Sequence, residues 1–271
     1  MITRRSLGTL TIGAGLPLPA LAQGLSNRPI RLVIPFTPAG TTDLVGRLTA
    51  ERLSARLGQQ VVVDNRPGAS GNVGGEFVAR SEPDGHTLLL TTIGTGAINF
   101  AVFGNRMPIR SLADMVREAK AKPGALNYGT AGIATSPHVV IEQIRLAQGI
   151  QITHVPFRGS APMLTEMVAE RIELGMDNIP SALTFVREGK IRAIGVTGAQ
   201  RSAVLPDVPT IAEQGMPGFE ATAWFGVLAP GVTPAPIIAR LGAELDAIGK
   251  EADFRARIAA FGADPPRLTP D

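Results

Sequence analysis

The chain is 271 residues long, 44% hydrophobic and 18% charged, with a formal net charge of +3. With no cysteine it has no disulfide, thiol nucleophile, iron–sulfur cluster or thiolate zinc site, and its three histidines are scattered without metal-ligand spacing. One Trp, one Tyr and no block of basic residues argue against nucleic acid as a partner.

The N-terminus reads as an export leader. Arg4-Arg5 is a charged start, residues 7–18 are apolar and Gly-rich, and Ala20-Leu21-Ala22 forms an A-x-A site before Gln23. The apolar run is too short and too interrupted to span a bilayer. Residues 1–22 are therefore expected to be cleaved after Ala22, giving a periplasmic protein, with the Sec and Tat routes both open from Thr3-Arg4-Arg5-Ser6.

Beyond the leader, strands and helices alternate. Residues 30–36 are an apolar, β-branched strand, and 43–57 a helix with Leu44, Val45 and Leu48 on one side, stopped by Gly58. A strand at 61–64, a helix near 71–80 and a strand at 87–92 follow. The middle of the chain predicts a helix at 111–121, then strands at 126–129, 152–157, 172–176 and 191–197, with helices near 137–147, 162–170 and 180–188 between them. Residues 220–228 are strand-like, and Ile237, Ile238, Leu241, Leu245 and Ile248 mark a late amphipathic helix. Strand–helix alternation of this kind predicts an α/β fold of parallel sheets.

Catalytic signatures are missing. There is no G-x-x-x-x-G-K-[ST], complete G-x-G-x-x-G or H-E-x-x-H, and Gly68-Ala69-Ser70-Gly71 is one residue short of G-x-S-x-G. No catalytic residue, metal or cofactor is expected. Two strand-to-helix loops share one chemical character instead: Pro35 through Asp43, and Asn127 through His138. Each has small residues that let the backbone approach a ligand, then a hydroxyl pair at a helix start, where free N–H groups favour an anion. The plainer reading makes Thr42 and Ser136 ordinary N-caps and Pro137 an N1 proline.

Several stretches in order resemble the Bug-type extracytoplasmic receptors of tripartite tricarboxylate transporters. They are Pro35-Phe36 through Thr42-Asp43, Asp64 through Gly71, Asn127-Tyr128-Gly129, Val155 through Gly159, Asp177-Asn178-Ile179-Pro180, Leu205 through Thr210, and Pro217 through Gly226. The resemblance implies a type II periplasmic-binding-protein-like Venus flytrap of two lobes: residues 23–100 plus 215–271, and residues 101–214. It implies a monomer that binds a small organic carboxylate or dicarboxylate and delivers it to the membrane subunits of such a transporter. The alternative is a degenerate or non-transport paralogue that presents its ligand to a sensor.

Carried over by position, the resemblance places a ligand carboxylate on Ala39, Gly40, Thr41, Thr42 and Asp43. Opposing contacts fall on Ala131, Gly132, Thr135 and Ser136, with Gly159 and Ser160. Ala39 stands where the family often has glycine. Asp177 matches a cleft-side acid that receives a ligand amine or fixes the pocket, or else caps a turn, and Arg66 is either a cleft cation or part of a turn. Family members also carry a long strand crossing between lobes after the third strand. Here residues 97–108 run almost directly into the next helix, and the chain stops at Leu268-Thr269-Pro270-Asp271 where relatives continue into a final helix. The expectation is a fold lacking one hinge strand segment and the C-terminal helix, with low stability and weak or lost affinity. The other reading is that 97–108 itself forms the strand at shorter length.

Overall fold

The computed structural model describes residues 25–104 and 107–264, except for the side chains of 93–103. The leader and residues 268–271 lie outside the described residues.

β1 (Ile30–Ile34) is buried at every position but Arg31, as a strand covered on both faces must be. It pairs in parallel with β2 (Val61–Asn65) on one side and with the start of β3 (Thr87–Gly104) on the other. α1 (Thr41–Leu57) connects β1 to β2 and ends at Gly58, whose φ of +64° only glycine adopts freely. A short 3-10 turn, Ala69–Gly71, leads into α2 (Asn72–Ala79) before β3. β3 then runs into a second sheet built with β4 (Asn127–Thr130), β5 (Thr153–Pro156), β6 (Leu174–Asn178) and β7 (Ile191–Val196). α3 (Leu112–Ala121), α4 (Ser136–Gln148), α5 (Ser160–Val168) and α6 (Ile179–Arg187) alternate with those strands. β8 (Thr222–Leu228) returns antiparallel to β3 in the first sheet, followed by α7 (Ala235–Lys250).

Each lobe has its own apolar interior. Ile30, Leu32, Ile34, Leu53, Leu88 and Leu241 pack in the first. Tyr128, Ile141, Ile144, Leu174 and Met176 form one cluster of the second, and Met163, Met167 and Ile179 another. Met216, Phe219 and Ala221 also pack against the second interior, just before β8 leads back to the first.

The expected loss of a hinge strand is corrected by β3. It is 18 residues long. Leu89 to Ile93 pair with β8, and Asn99 to Phe103 pair with β6, so one strand crosses between the sheets. β7 pairs with its far end on the other side. The sequence hides this strand because Gly94-Thr95-Gly96-Ala97 breaks the apolar run. Glycine inside a strand marks an irregularity rather than an end, and the β8 register shifts between Ile93 and Ile98. Partners on both sides carry the ladder onward. α8 (Ala252–Ala260) follows α7, with Phe254 and Ile258 one turn apart in the first lobe's interior, and the expected lack of a C-terminal helix falls on residues 268–271, outside the described residues. No described helix is long and apolar enough to cross a membrane.

Candidate functional site

α1 begins where the small residues after β1 turn the chain. Ala39 adopts φ +65°, and its N–H donates to Asp43 Oδ2 at 2.9 Å. Arg47 Nε donates to the same oxygen at 2.9 Å, and Asn65 Nδ2 donates to Oδ1 at 2.9 Å. Burial pushes the Asp43 pKa up, but the hydrogen bonds from Arg47, Ala39 and Asn65 outweigh it and hold the carboxyl below its ordinary range. Asp43 thus locks the loop, and the Ala39 N–H is spent on it. The N-cap is Gly40, not Thr42, and the first helical bond runs from Leu44 N–H to Gly40 C=O. The N–H groups of Thr41, Thr42 and Asp43 therefore have no acceptor further back in the helix.

The second lobe repeats the arrangement three times. Thr135, not Ser136, is the N-cap of α4, and its hydroxyl is turned back to Gly132 C=O at 2.7 Å. Gly159 precedes α5 and Asn178 precedes α6, and neither helix has a side-chain cap. All four helix starts meet at one cavity of about 20 Å³, with space for about one water-sized group. Gly40, Thr41 and Thr42 line it from the first lobe, with Phe36 and Thr92; Ala131, Thr135, Ser136, Pro137, Ser160 and Asn178 line it from the second. Phe36 and Ala131 also border a neighbouring cavity of about 190 Å³, lined further by the 68–71 turn, Gly132, Ile133 and residues 156–158. Each helix start carries roughly half a positive charge, so the potential in the small cavity favours negative charge.

Asp177 lies behind this cavity with no exposed surface. Its Oδ1 accepts the Ser160 hydroxyl and its Oδ2 the Ser181 hydroxyl, both at 2.6 Å. Burial pushes its pKa up to about 6, against the opposing pull of the two serine hydroxyls. The lobes touch directly around it. Thr37 N–H donates to Arg158 C=O at 3.4 Å, and a Cβ added at Gly159 would stand 2.2 Å from Thr37 Oγ1. A Cβ added at Gly132 would likewise stand 3.0 Å from Ser70 Oγ.

Among the residues singled out in the sequence, Gly40, Thr41, Thr42, Ala131, Thr135, Ser136 and Ser160 reach the small cavity and Gly132 the larger one. Ala39, Asp43, Gly159 and Asp177 stand behind them as supports. Arg66 is no cleft cation: it pairs with Asp64 at 2.8 Å and stacks over Phe77, 3.6 Å from the ring centroid. The sequence reading missed Phe36, Thr92, Asn178 and Arg158. The signal for Asn178 and Arg158 was present, since each begins a strand-to-helix loop like the two already recognised.

A family model described as "Tripartite tricarboxylate transporter family receptor" matches residues 45–100 and 98–269. The chain belongs to that receptor family. Protein BugT of Bordetella pertussis is 32% identical, over 98% of this chain and 90% of its own. Two solved Rhodopseudomonas palustris receptors share the fold. One, with adipate, superposes with a TM-score of 0.85 at 34% identity over 88% of each chain. The other, MatC with bound malate, gives 0.84 at 30% identity over 89% of this chain and 90% of its own. The two-lobe architecture is therefore that of a family of solute receptors.

Proposed function

We propose that this protein is an exported, monomeric receptor that closes around a small dicarboxylate and delivers it to the membrane subunits of a tripartite tricarboxylate-type transporter, with no chemical step. The observation that carries the reading is the convergence of four helix N-termini, from both lobes, on one cavity. One ligand carboxylate sits there, held by backbone N–H groups of Thr41 and Thr42 and by the Thr42 and Ser136 hydroxyls. The other end extends past Phe36 and Ala131 into the larger cavity, where Arg158 supplies a cation. Asp43 and Asp177 act as positioning residues, fixing the loop and the serine hydroxyls. Adipate and malate in the two related structures support a dicarboxylate of four to six carbons.

Hydrogen bonds to a charged group contribute about 1.5–3 kcal/mol each, so losing one lowers affinity by roughly tenfold or more. Calorimetric titration with a dicarboxylate panel tests the reading. Thr42→Ala and Ser136→Ala should each weaken the best ligand about tenfold, with little loss of melting temperature because neither residue is an N-cap. Unchanged affinity in both variants overturns this placement.

A further inference from the structure

We propose that the small cavity selects carboxylates bearing a hydroxyl on the carbon next to the bound carboxyl group, and that Asn178 reads that hydroxyl. This rests on the carboxylate-receptor reading above and narrows it to a ligand class.

Asn178 is an N-cap whose side chain does not cap. Asparagine at the N-cap normally accepts the N–H two or three positions on. For Asn178 those positions are Pro180, which has no N–H, and Ser181, whose N–H donates instead to Thr41 Oγ1 across the cleft at 3.2 Å. The Asn178 side chain is left over. Its Oδ1 is buried with no hydrogen-bond partner, the residue is only 8% exposed, and it lines the small cavity. Thr92, which lines the same cavity, likewise has a buried Oγ1 without a partner. A buried polar atom without a partner costs free energy until something supplies one.

The requirement at Asn178 is complementary to the rest of the cavity. The helix starts offer donors, which suit carboxylate oxygens. Asn178 Oδ1 is an acceptor and repels a carboxylate oxygen, so it calls for an O–H or N–H beside the carboxyl group. An ammonium is disfavoured by the four positive helix ends. The nearby carboxylates offer it nothing, since Asp43 is committed to Ala39, Arg47 and Asn65, and Asp177 to Ser160 and Ser181. A neutral hydroxyl satisfies the acceptor without adding charge.

The test is calorimetric titration of chain-matched sets: succinate, malate and aspartate, then glutarate, 2-hydroxyglutarate and glutamate. In the wild type, the hydroxy acid of the better-fitting length should bind at least tenfold more tightly than its deoxy and amino counterparts. Asn178→Ala, which removes no cap, should erase that preference by weakening the hydroxy acid alone, with its melting temperature close to wild type. Equal binding of deoxy and hydroxy acids, a preference for the amino acid, or parallel weakening of all ligands in Asn178→Ala overturns the hydroxyl assignment while leaving a carboxylate receptor. If no carboxylate binds, the receptor reading itself fails, and the inference fails with it.

Discussion

Thr41 and Ser181 exchange hydrogen bonds across the cleft: the Thr41 hydroxyl donates to Ser181 Oγ at 2.9 Å and accepts the Ser181 N–H at 3.2 Å. The Ser181 hydroxyl donates in turn to Asp177 Oδ2, and Ser160 donates to the other oxygen. Lobe closure and the shape of the anion cavity are thus linked in one chain of hydroxyls ending on a buried carboxylate. Such a linkage makes closure sensitive to single oxygen atoms.

Thr41→Val tests that linkage. It keeps the side-chain volume and removes both cross-cleft bonds, which stabilise the closed form more than either separate lobe. Ligand affinity should fall about five- to tenfold, equivalent to roughly 1 kcal/mol. The melting temperature without ligand should change little. Unaltered affinity by calorimetry would separate this contact from closure.

Gly159→Ala should hold the cleft open. Gly159 has φ +150°, and the added methyl would meet Thr37 Oγ1 at 2.2 Å, so the closed form is strained twice. Small-angle scattering should show no ligand-induced contraction, and affinity should drop by about a hundredfold or more. A variant that contracts like the wild type would contradict the geometry.

Asp177→Asn should alter the pH dependence of stability. The Asp177 pKa rises from 3.8 to about 6 on folding, so the native state binds the extra proton between those values. Its contribution to stability is present at low pH and is lost as pH rises through about 6. Asn, which carries no charge to bury, should therefore gain in melting temperature relative to wild type between about pH 4 and pH 6.5, and keep the gain above. Any change in affinity should be alike for ligands with and without an amine, because the carboxylate does not face the cavity. A loss confined to amine-bearing ligands would place Asp177 against the ligand.

His154 has the opposite sign. Burial and the neighbouring His138 push its pKa down from 6.5 to about 4, with the ring stacked against both Tyr128 and His138. Glu142 pulls its pKa upward from α4, where Arg145 pairs with that carboxylate, and Thr130 Oγ1 contacts its Nε2 at 2.8 Å. The unfolded chain binds the proton first as pH falls, so His154 should make stability decline between about pH 6.5 and pH 4. Titration of its ring resonances by NMR should show a midpoint near 4, and a midpoint above 6 would refute the buried neutral ring.

What the sequence reveals about this molecule divides along local and long-range lines. The first site loop is legible because an apolar β-branched strand, small residues and a hydroxyl-bearing helix start are contiguous in residues 30–43. Its capping is not, since Gly40 rather than Thr42 ends as N-cap once Asp43 ties back to Ala39 and Asn65. β3 is obscured because local hydropathy fails at residues 94–97, whereas its continuation depends on β6 and β7, more than seventy residues away. Asn178 sits beside the recognised Asp177, but its freedom depends on Thr41, which the fold brings from the other lobe.

The central claim is that four helix N-termini hold a carboxylate, and charge is its most direct test. Calorimetric titration should compare the best dicarboxylate with its diamide, which has the same shape and no charge. The dicarboxylate should bind, and the diamide should bind at least a hundredfold more weakly. Equal affinity for both would contradict it.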